Sequence, residues 1–298
     1  MDGAQPESRH PSRDRQPRTP PITPEPTHET KASTKRVLII GATGSVGRHA
    51  VAASIAAGHQ TRALVRDRSR ADRILDQSAE LAVGDASDVD FLKHAVADID
   101  AVVFTHGGHG GLGEAEAIDY GIVRATLEAL GRRSVRIALM TSIGVTVHDG
   151  AYNRASQSHD WKRRAERLVR ASGNDFTIVR PGWFDEGAAA HPELLFLQGD
   201  TRRAGSPEDG WVARSQIARV LVESLTSAAA NRKTLELVAE RGPRQTDLDP
   251  LFAALRRDAD GELDGALDPD TLPLDHEPDG VMAEIAEAAR RGQVRLSS

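Results

Sequence analysis

The segment RVLIIGATGSVGRHAVAASIAAGH, residues 36–59, constrains the fold more than any other part of the chain. A short apolar run ends at Ile40, glycines follow at 41, 44 and 47, and an alanine-rich stretch then runs to Gly58. That order spells strand, glycine turn, helix. Gly41 permits the tight turn, Gly44 lets backbone approach a pyrophosphate, and Gly47 lets the helix pack close to the strand. Backbone N–H groups at the helix start, at the positive end of its dipole, favour a bound phosphate. Thr43, Ser45 and Val46 complete the turn and join the glycines as expected dinucleotide-binding residues.

From Lys35 onward, short apolar runs alternate with helical segments, the pattern of βαβ units and a parallel sheet. Strands are predicted at 36–40, 61–66, 79–84, 101–105, 136–142, 176–181 and 234–239. Helices are predicted near 45–57, 88–97, 114–131, 157–172 and 214–226. The fold class is therefore α/β, a Rossmann-like doubly wound parallel sheet of about seven strands, with a small, mostly helical C-terminal cap. Residues 1–34 hold seven of the fifteen prolines and only Met1 and Ile22 as large aliphatics, so they read as a disordered tail before a single domain at 35–298. Residues 244–298 carry thirteen acidic side chains against six arginines, with helices expected around 248–257 and 281–290. The remainder of that segment reads as a solvated acidic cap.

Composition removes several function classes. A net charge of -6 without a basic run gives no basis for binding nucleic acid. No stretch approaches the length of a membrane span, and the N-terminus lacks the apolar block of a signal peptide, so a cytoplasmic protein is expected. The chain has no cysteine, which excludes thiol catalysis and thiolate metal sites. His106 and His109 stand three apart in THGGHGGLGE without a third ligand, and no metal site is expected there.

The end of the second strand bears on cofactor choice. An NAD site presents a carboxylate there to the ribose 2'-hydroxyl, whereas a 2'-phosphate needs cationic donors. ALVRDRSR places Arg66 at that point, followed by Arg68 and Arg70, and guanidinium groups suit phosphate by geometry and permanent charge. NADP is the expected cofactor, with NAD open through Asp67.

With these motifs in place, the sequence resembles the short-chain dehydrogenase/reductase superfamily, in its atypical NmrA-like, NAD(P)H-binding branch. The resemblance rests on GATGSVG (41–47), LVRD (64–67), GDASD (84–88), LMTSIGV (139–145), KRRAERLVRASGNDFTIVRPGWF (162–184) and QIARVLVESL (216–225). It implies that Asp85 and Ala86 flank the adenine, that Thr105, His106 and Gly107 line the cofactor, and that Pro181, Gly182 and Trp183 wrap its nicotinamide end. It places Ser142 at the active-site serine and Lys162 at the lysine that holds the nicotinamide ribose. The superfamily tyrosine belongs four residues earlier, on the same helical face, and here that position is Ser158. A serine hydroxyl is a poorer and shorter proton donor than a phenol. The proton source is then Lys162, Tyr152 from the preceding loop, or water; Ser158 itself is a doubtful substitute, and His159 with Asp160 offers a relay. The alternative for Lys162 is a place in a solvated run with Arg163 and Arg164.

The expected function is NADP-dependent hydride transfer to or from a small organic substrate, with Trp183, Phe184, Trp211 and Tyr152 suggesting an apolar or planar one. A non-catalytic NADP(H)-sensing regulator and a nucleotide-sugar epimerase or dehydratase are the alternatives. Oligomeric state is not legible.

Overall fold

A computed structural model describes residues 1–3, 34–108, 111, 113–185 and 190–296; the expected tail and His109 fall outside this set, apart from residues 1–3 and 34. The chain runs β1 (Arg36–Ile40), α1 (Gly47–Ala56), β2 (Gln60–Val65), α2 (Arg68–Ile74), β3 (Glu80–Val83), α3 (Val89–Ala95) and β4 (Ala101–Phe104). A π-helical turn at Glu116–Tyr120 leads into α4 (Gly121–Leu130), then β5 (Arg136–Met140), α5 (Ala151–Ser156), α6 (Ser158–Ala171) and β6 (Asp175–Pro181). β7 (Trp183–Asp185), β8 (Glu193–Leu197), β9 (Trp211–Ala213), α7 (Arg214–Glu223), β10 (Lys233–Glu240), α8 (Asp249–Ala254) and α9 (Asp279–Leu296) complete it.

The strands form one sheet in the order β3-β2-β1-β4-β5-β6-β10-β9-β7, with β8 also paired to β10. The seven predicted strands correspond to β1 to β6 and β10, which pair in parallel with one another; β7 and β9 form a further parallel pair at the edge. Ten strands are present among the described residues, because β7, β8 and β9 add an edge region of three to five residues each. Segments so short show no periodicity in the sequence.

Period-two alternation divides the core. Val37 and Ile39 join the cluster that includes α1 and α7, whereas Leu38 and Ile40 join the one under α3, α4, α6 and α9. Ile40 is level with Leu64 of β2 and Phe104 of β4, so the loops after these strands open along one edge. Strand order reverses between β1 and β4, where an open α/β sheet leaves its ligand crevice.

The C-terminal segment corrects the sequence reading. It is a counter-charge for α6 rather than a solvated cap. Arg163 donates through Nε to Asp264 at 2.8 Å, Arg164 to Glu277 at 2.6 Å, and Arg167 to both Glu277 and Asp264 at 2.6 and 2.8 Å. One turn on, Arg170 meets Glu166 and Asp258. Arg163 and Arg164, read as candidates for a solvated run, are 1% and 8% exposed. α6 is arginine-rich, yet it is buried along most of its length because the loop between α8 and α9 brings carboxylates to it.

Burial alone would raise the Asp264 pKa, but the Arg167 hydrogen bond and the charges of Arg163 and Arg167 bring it down to about 2. A depressed carboxylate contributes stability above its unfolded value of 3.8, and that contribution is lost as pH falls through about 2. Chemical denaturation should therefore show stability falling across that window, with a shallower fall in Asp264→Asn. Arg167→Ala should cost about 3–5 kcal/mol near neutral pH, because buried carboxylates lose their partner. A loss below about 1 kcal/mol would show that the network is solvated.

Candidate active site

The glycine turn is built as its spacing requires. Gly41 has φ +84°, and a Cβ there would stand 2.7 Å from the His106 backbone nitrogen. A Cβ on Gly47 would overlap the Gly41 carbonyl, so close packing of α1 on the turn demands glycine. Gly44 donates its N–H to the Gly41 carbonyl at 2.9 Å, and both Gly44 and Ser45 are exposed. Thr43 is half-buried and Val46 is 2% exposed in the core, so Val46 faces any ligand only through its backbone. α1 starts with no side-chain cap and no acidic residue in its first turn, leaving its positive end uncompensated. This cradle fits a pyrophosphate.

Arginines collect beside it. Arg66 is exposed at the end of β2, and its charge helps hold Asp85 below the usual carboxylate range, behind the larger effect of the Ser87 hydrogen bonds. Arg70 reaches back across the turn to the Thr43 carbonyl at 3.5 Å. Asp67, the residue that left NAD open, caps α2 by accepting from the Arg70 backbone N–H at 3.1 Å. Its carboxylate is already engaged. Ala86 is 8% exposed and belongs to the core on the α3 side.

On the other wall, Thr105 ties β4 to β1 by donating Oγ1–H to the Ile40 carbonyl at 2.9 Å. His106 packs edge-on against Phe104, and burial lowers its pKa to about 4, which keeps the imidazole neutral. Gly107 is exposed. Ile143 donates its N–H to the Pro181 carbonyl at 3.0 Å, joining the loop after β5 to the end of β6. A Cβ on Gly182 would sit 2.5 Å from the Gly210 carbonyl, and Trp183 beyond it is 42% exposed, in register with Trp211.

Lys162 is not a surface residue. Its Nζ lies 2.7 Å from Asp119 Oδ2 and donates to Ser158 Oγ at 3.2 Å. The Asp119 side chain is 3% exposed, and its Oδ1 accepts from the Gly108 N–H at 3.1 Å. One carboxylate thus joins the lysine to the glycine loop after β4. An ammonium carries three N–H donors; the Ser158 bond takes one, and the ion pair with Asp119, whose Oδ2 closes no hydrogen bond among the described residues, holds the charge in place. Ser158 is 1% exposed and acts as an acceptor for the lysine. Ser142 Oγ is buried without a hydrogen-bond partner among the described residues, a polar group awaiting one. Tyr152 is 54% exposed and stacks on His159 with ring centroids 5.1 Å apart. Asp160, considered for a relay, instead accepts from or pairs with His148 Nδ1 at 2.9 Å.

Asp119 is absent from the sequence reading, although a signal existed. In the helical stretch 114–131 it shares the apolar stripe of Ala115, Ile122, Val123 and Leu130, where a solvated acid has no place. The π-helical turn around it inserts an extra residue, a feature frequent at functional sites.

A family model described as NAD(P)H-binding matches residues 41–228. The chain belongs to that family. This member is similar to an isoflavone reductase homolog of Nicotiana tabacum, 26% identical over 221 residues that cover 68% of this chain and 67% of the tobacco protein. A putative NAD-dependent epimerase/dehydratase from Bacillus halodurans shares the fold at TM-score 0.59 and 24% identity, over 74% of this chain and all of that one. So does a solved structure of AtPrR2 with NADP+ and (+)pinoresinol, at TM-score 0.52 and 21% identity, over 68% and 70% of the two chains. The resemblance read from the sequence holds. Among the described residues no helix is long and apolar enough to cross a membrane.

The Asp119–Lys162 pair can be measured directly. In a double-mutant cycle of Asp119→Asn and Lys162→Met read by denaturation, the two changes should couple by about 1–3 kcal/mol. Additive losses would mean the two side chains do not meet in solution.

Proposed function

We propose that the chain is an NADP(H)-dependent oxidoreductase acting on a small planar organic substrate. The observation that carries this reading is the presentation of Lys162, ion-paired with buried Asp119 and donating to Ser158; the Ser142 hydroxyl is buried and without a partner among the described residues. When bound, the nicotinamide supplies or accepts hydride. Amides of Ser45 and Val46 bind the pyrophosphate, and Arg66 and Arg70 bind the 2'-phosphate. Lys162 donates a further N–H to the ribose, and Ser142 Oγ donates to the substrate oxygen on which charge develops. The half-exposed Trp183, Phe184 and Trp211 offer flat apolar surface to a conjugated ring.

The proton route follows from what Ser158 is doing. Its oxygen accepts from Lys162 and its side chain is buried, so it orients the lysine in place of the phenol that other superfamily members carry. Tyr152 lies against His159 and does not take over that position. Such a site suits acceptors whose conjugation stabilises the hydride adduct until water protonates it. The same lack of a phenol favours a second reading, a cofactor sensor without turnover.

Arg66→Gln should weaken NADPH binding by about tenfold or more while changing NADH binding little, since only NADPH presents a 2'-phosphate. Calorimetric titration with both cofactors checks this, and equal losses would remove Arg66 from the site. A cofactor-oxidation screen over quinones, enones, flavins and aldehydes should find turnover among the conjugated acceptors. Tight binding with no turnover on any class would instead establish the sensor.

A further inference from the structure

Behind the loop that follows Ser142 lies a buried acidic cluster that the site described above does not use. Asp200 is fully buried, with φ +47°, and its carboxylate is the anchor of that loop. Oδ1 accepts from Gly144 N–H at 2.7 Å, and Oδ2 accepts from the N–H and the hydroxyl of Thr146, both at 2.8 Å. Against it stands Glu236, on β10, 2% exposed. Neither Glu236 carboxyl oxygen closes a hydrogen bond among the described residues; Arg180 Nη1 is 3.5 Å from Oε1, and the Asp200 backbone faces it.

Charge balance explains why Glu236 goes without. Arg180 spends four of its five N–H donors on Glu166 and Asp268, through hydrogen bonds of 2.6 to 3.0 Å, and the fifth, on Nη1, stands 3.5 Å from Glu236 Oε1 without closing a bond. Arg170 is divided between Glu166 and Asp258. The acids around these two guanidinium groups are Glu166, Asp258 and Asp268, with Asp200 and Glu236 behind them. Asp200 accepts from three donors and faces His159 of α6, whose imidazole burial keeps below its ordinary pKa, while Glu166 and Asp268 are held ionised by Arg180. Glu236 is left as the member with least to lose by being neutral.

We infer that Glu236 is a positioning residue for the substrate-side loop: neutral, it lets Asp200 hold Gly144 and Thr146, and ionised, it repels Asp200 and releases them. That the loop faces substrate rests on the function proposed above, whereas the coupling of Glu236 to the loop does not. Desolvation is the main cause that raises the Glu236 pKa from 4.5 to about 7, with the Asp200 and Asp268 charges adding to it and Arg180 and the Asp200 backbone N–H opposing. A raised carboxyl favours the closed form below its ordinary value, and that advantage is lost as pH rises through the closed-state value. Loop opening that admits water to Glu236 therefore becomes easier between pH 4.5 and about 7 and levels off above.

Amide exchange at Gly144 and Thr146, read by NMR and corrected for the intrinsic pH dependence of exchange, tests this without any turnover. In the wild-type protein, protection of the two amides should fall by up to about tenfold per pH unit across that window. In Glu236→Gln it should be flat at the protected level. Infrared difference spectra of wild type against Glu236→Gln and Glu236→Leu should show, at pH 6, a neutral carboxyl band that disappears by about pH 8. The leucine variant keeps this readout should the glutamine fold poorly. Protection that does not vary with pH in the wild type, an identical pH dependence in Glu236→Gln, or no neutral carboxyl band at pH 6 would each overturn the inference. Should the screen of acceptors find no turnover, the exchange result stands or falls independently.

Discussion

The charged contact between α6 and the loop from Asp258 to Glu277 is the constraint on which the other features depend. α6 carries on one side Lys162, paired with Asp119, and on the other the arginines that face the C-terminal segment. Buried ion pairs seldom add much stability over an apolar contact, because desolvation offsets attraction. Their effect here is geometric. Arginine forks on paired carboxylates allow one register of the helix against its cover, and that register sets the height of Lys162 beside Asp119.

The same helix links both halves of the site. Glu166 accepts from Thr141 at the end of β5 and from Arg180 on β6, fixing α6 to the strands whose ends carry Ser142 and Pro181. Asp119, from the π-helical turn, then joins the lysine to the loop after β4. The π-helical turn and α6 meet at one ammonium, and the loop after β4 is tied in through Asp119, so a serine in the tyrosine position leaves the lysine with partners. The oxygen of Ser158 does for Lys162 what a second carboxylate would do at greater desolvation cost.

Much of the fold was legible because its information is local. The central parallel strands β1, β4, β5, β6 and β10 are runs of residues buried on both faces along most of their length, and the glycine turn advertises itself by steric necessity at Gly41 and Gly47. What the sequence hides depends on distant partners. Arg163 and Arg164 read as a possible solvated run because their carboxylates lie about a hundred residues later, and Asp119 went unnoticed because its lysine comes from another helix. β7 to β9 are too short to announce themselves and exist by pairing with β10 and each other. The resemblance to a family motif singled out Lys162, but its partners Asp119 and Ser158 come from contacts that the motif does not spell.

The claim that the clamp on α6 presents the cofactor lysine is tested most directly by NADPH titration into a protein whose clamp is weakened far from the crevice. Asp264→Asn combined with Glu277→Gln leaves the glycine turn, Arg66 and Lys162 in sequence intact. Measured well below its unfolding midpoint, this variant should bind NADPH about tenfold or more weaker than the wild-type protein. A folded variant that binds NADPH as tightly as the wild type would contradict the account, since the lysine would then be placed without the clamp.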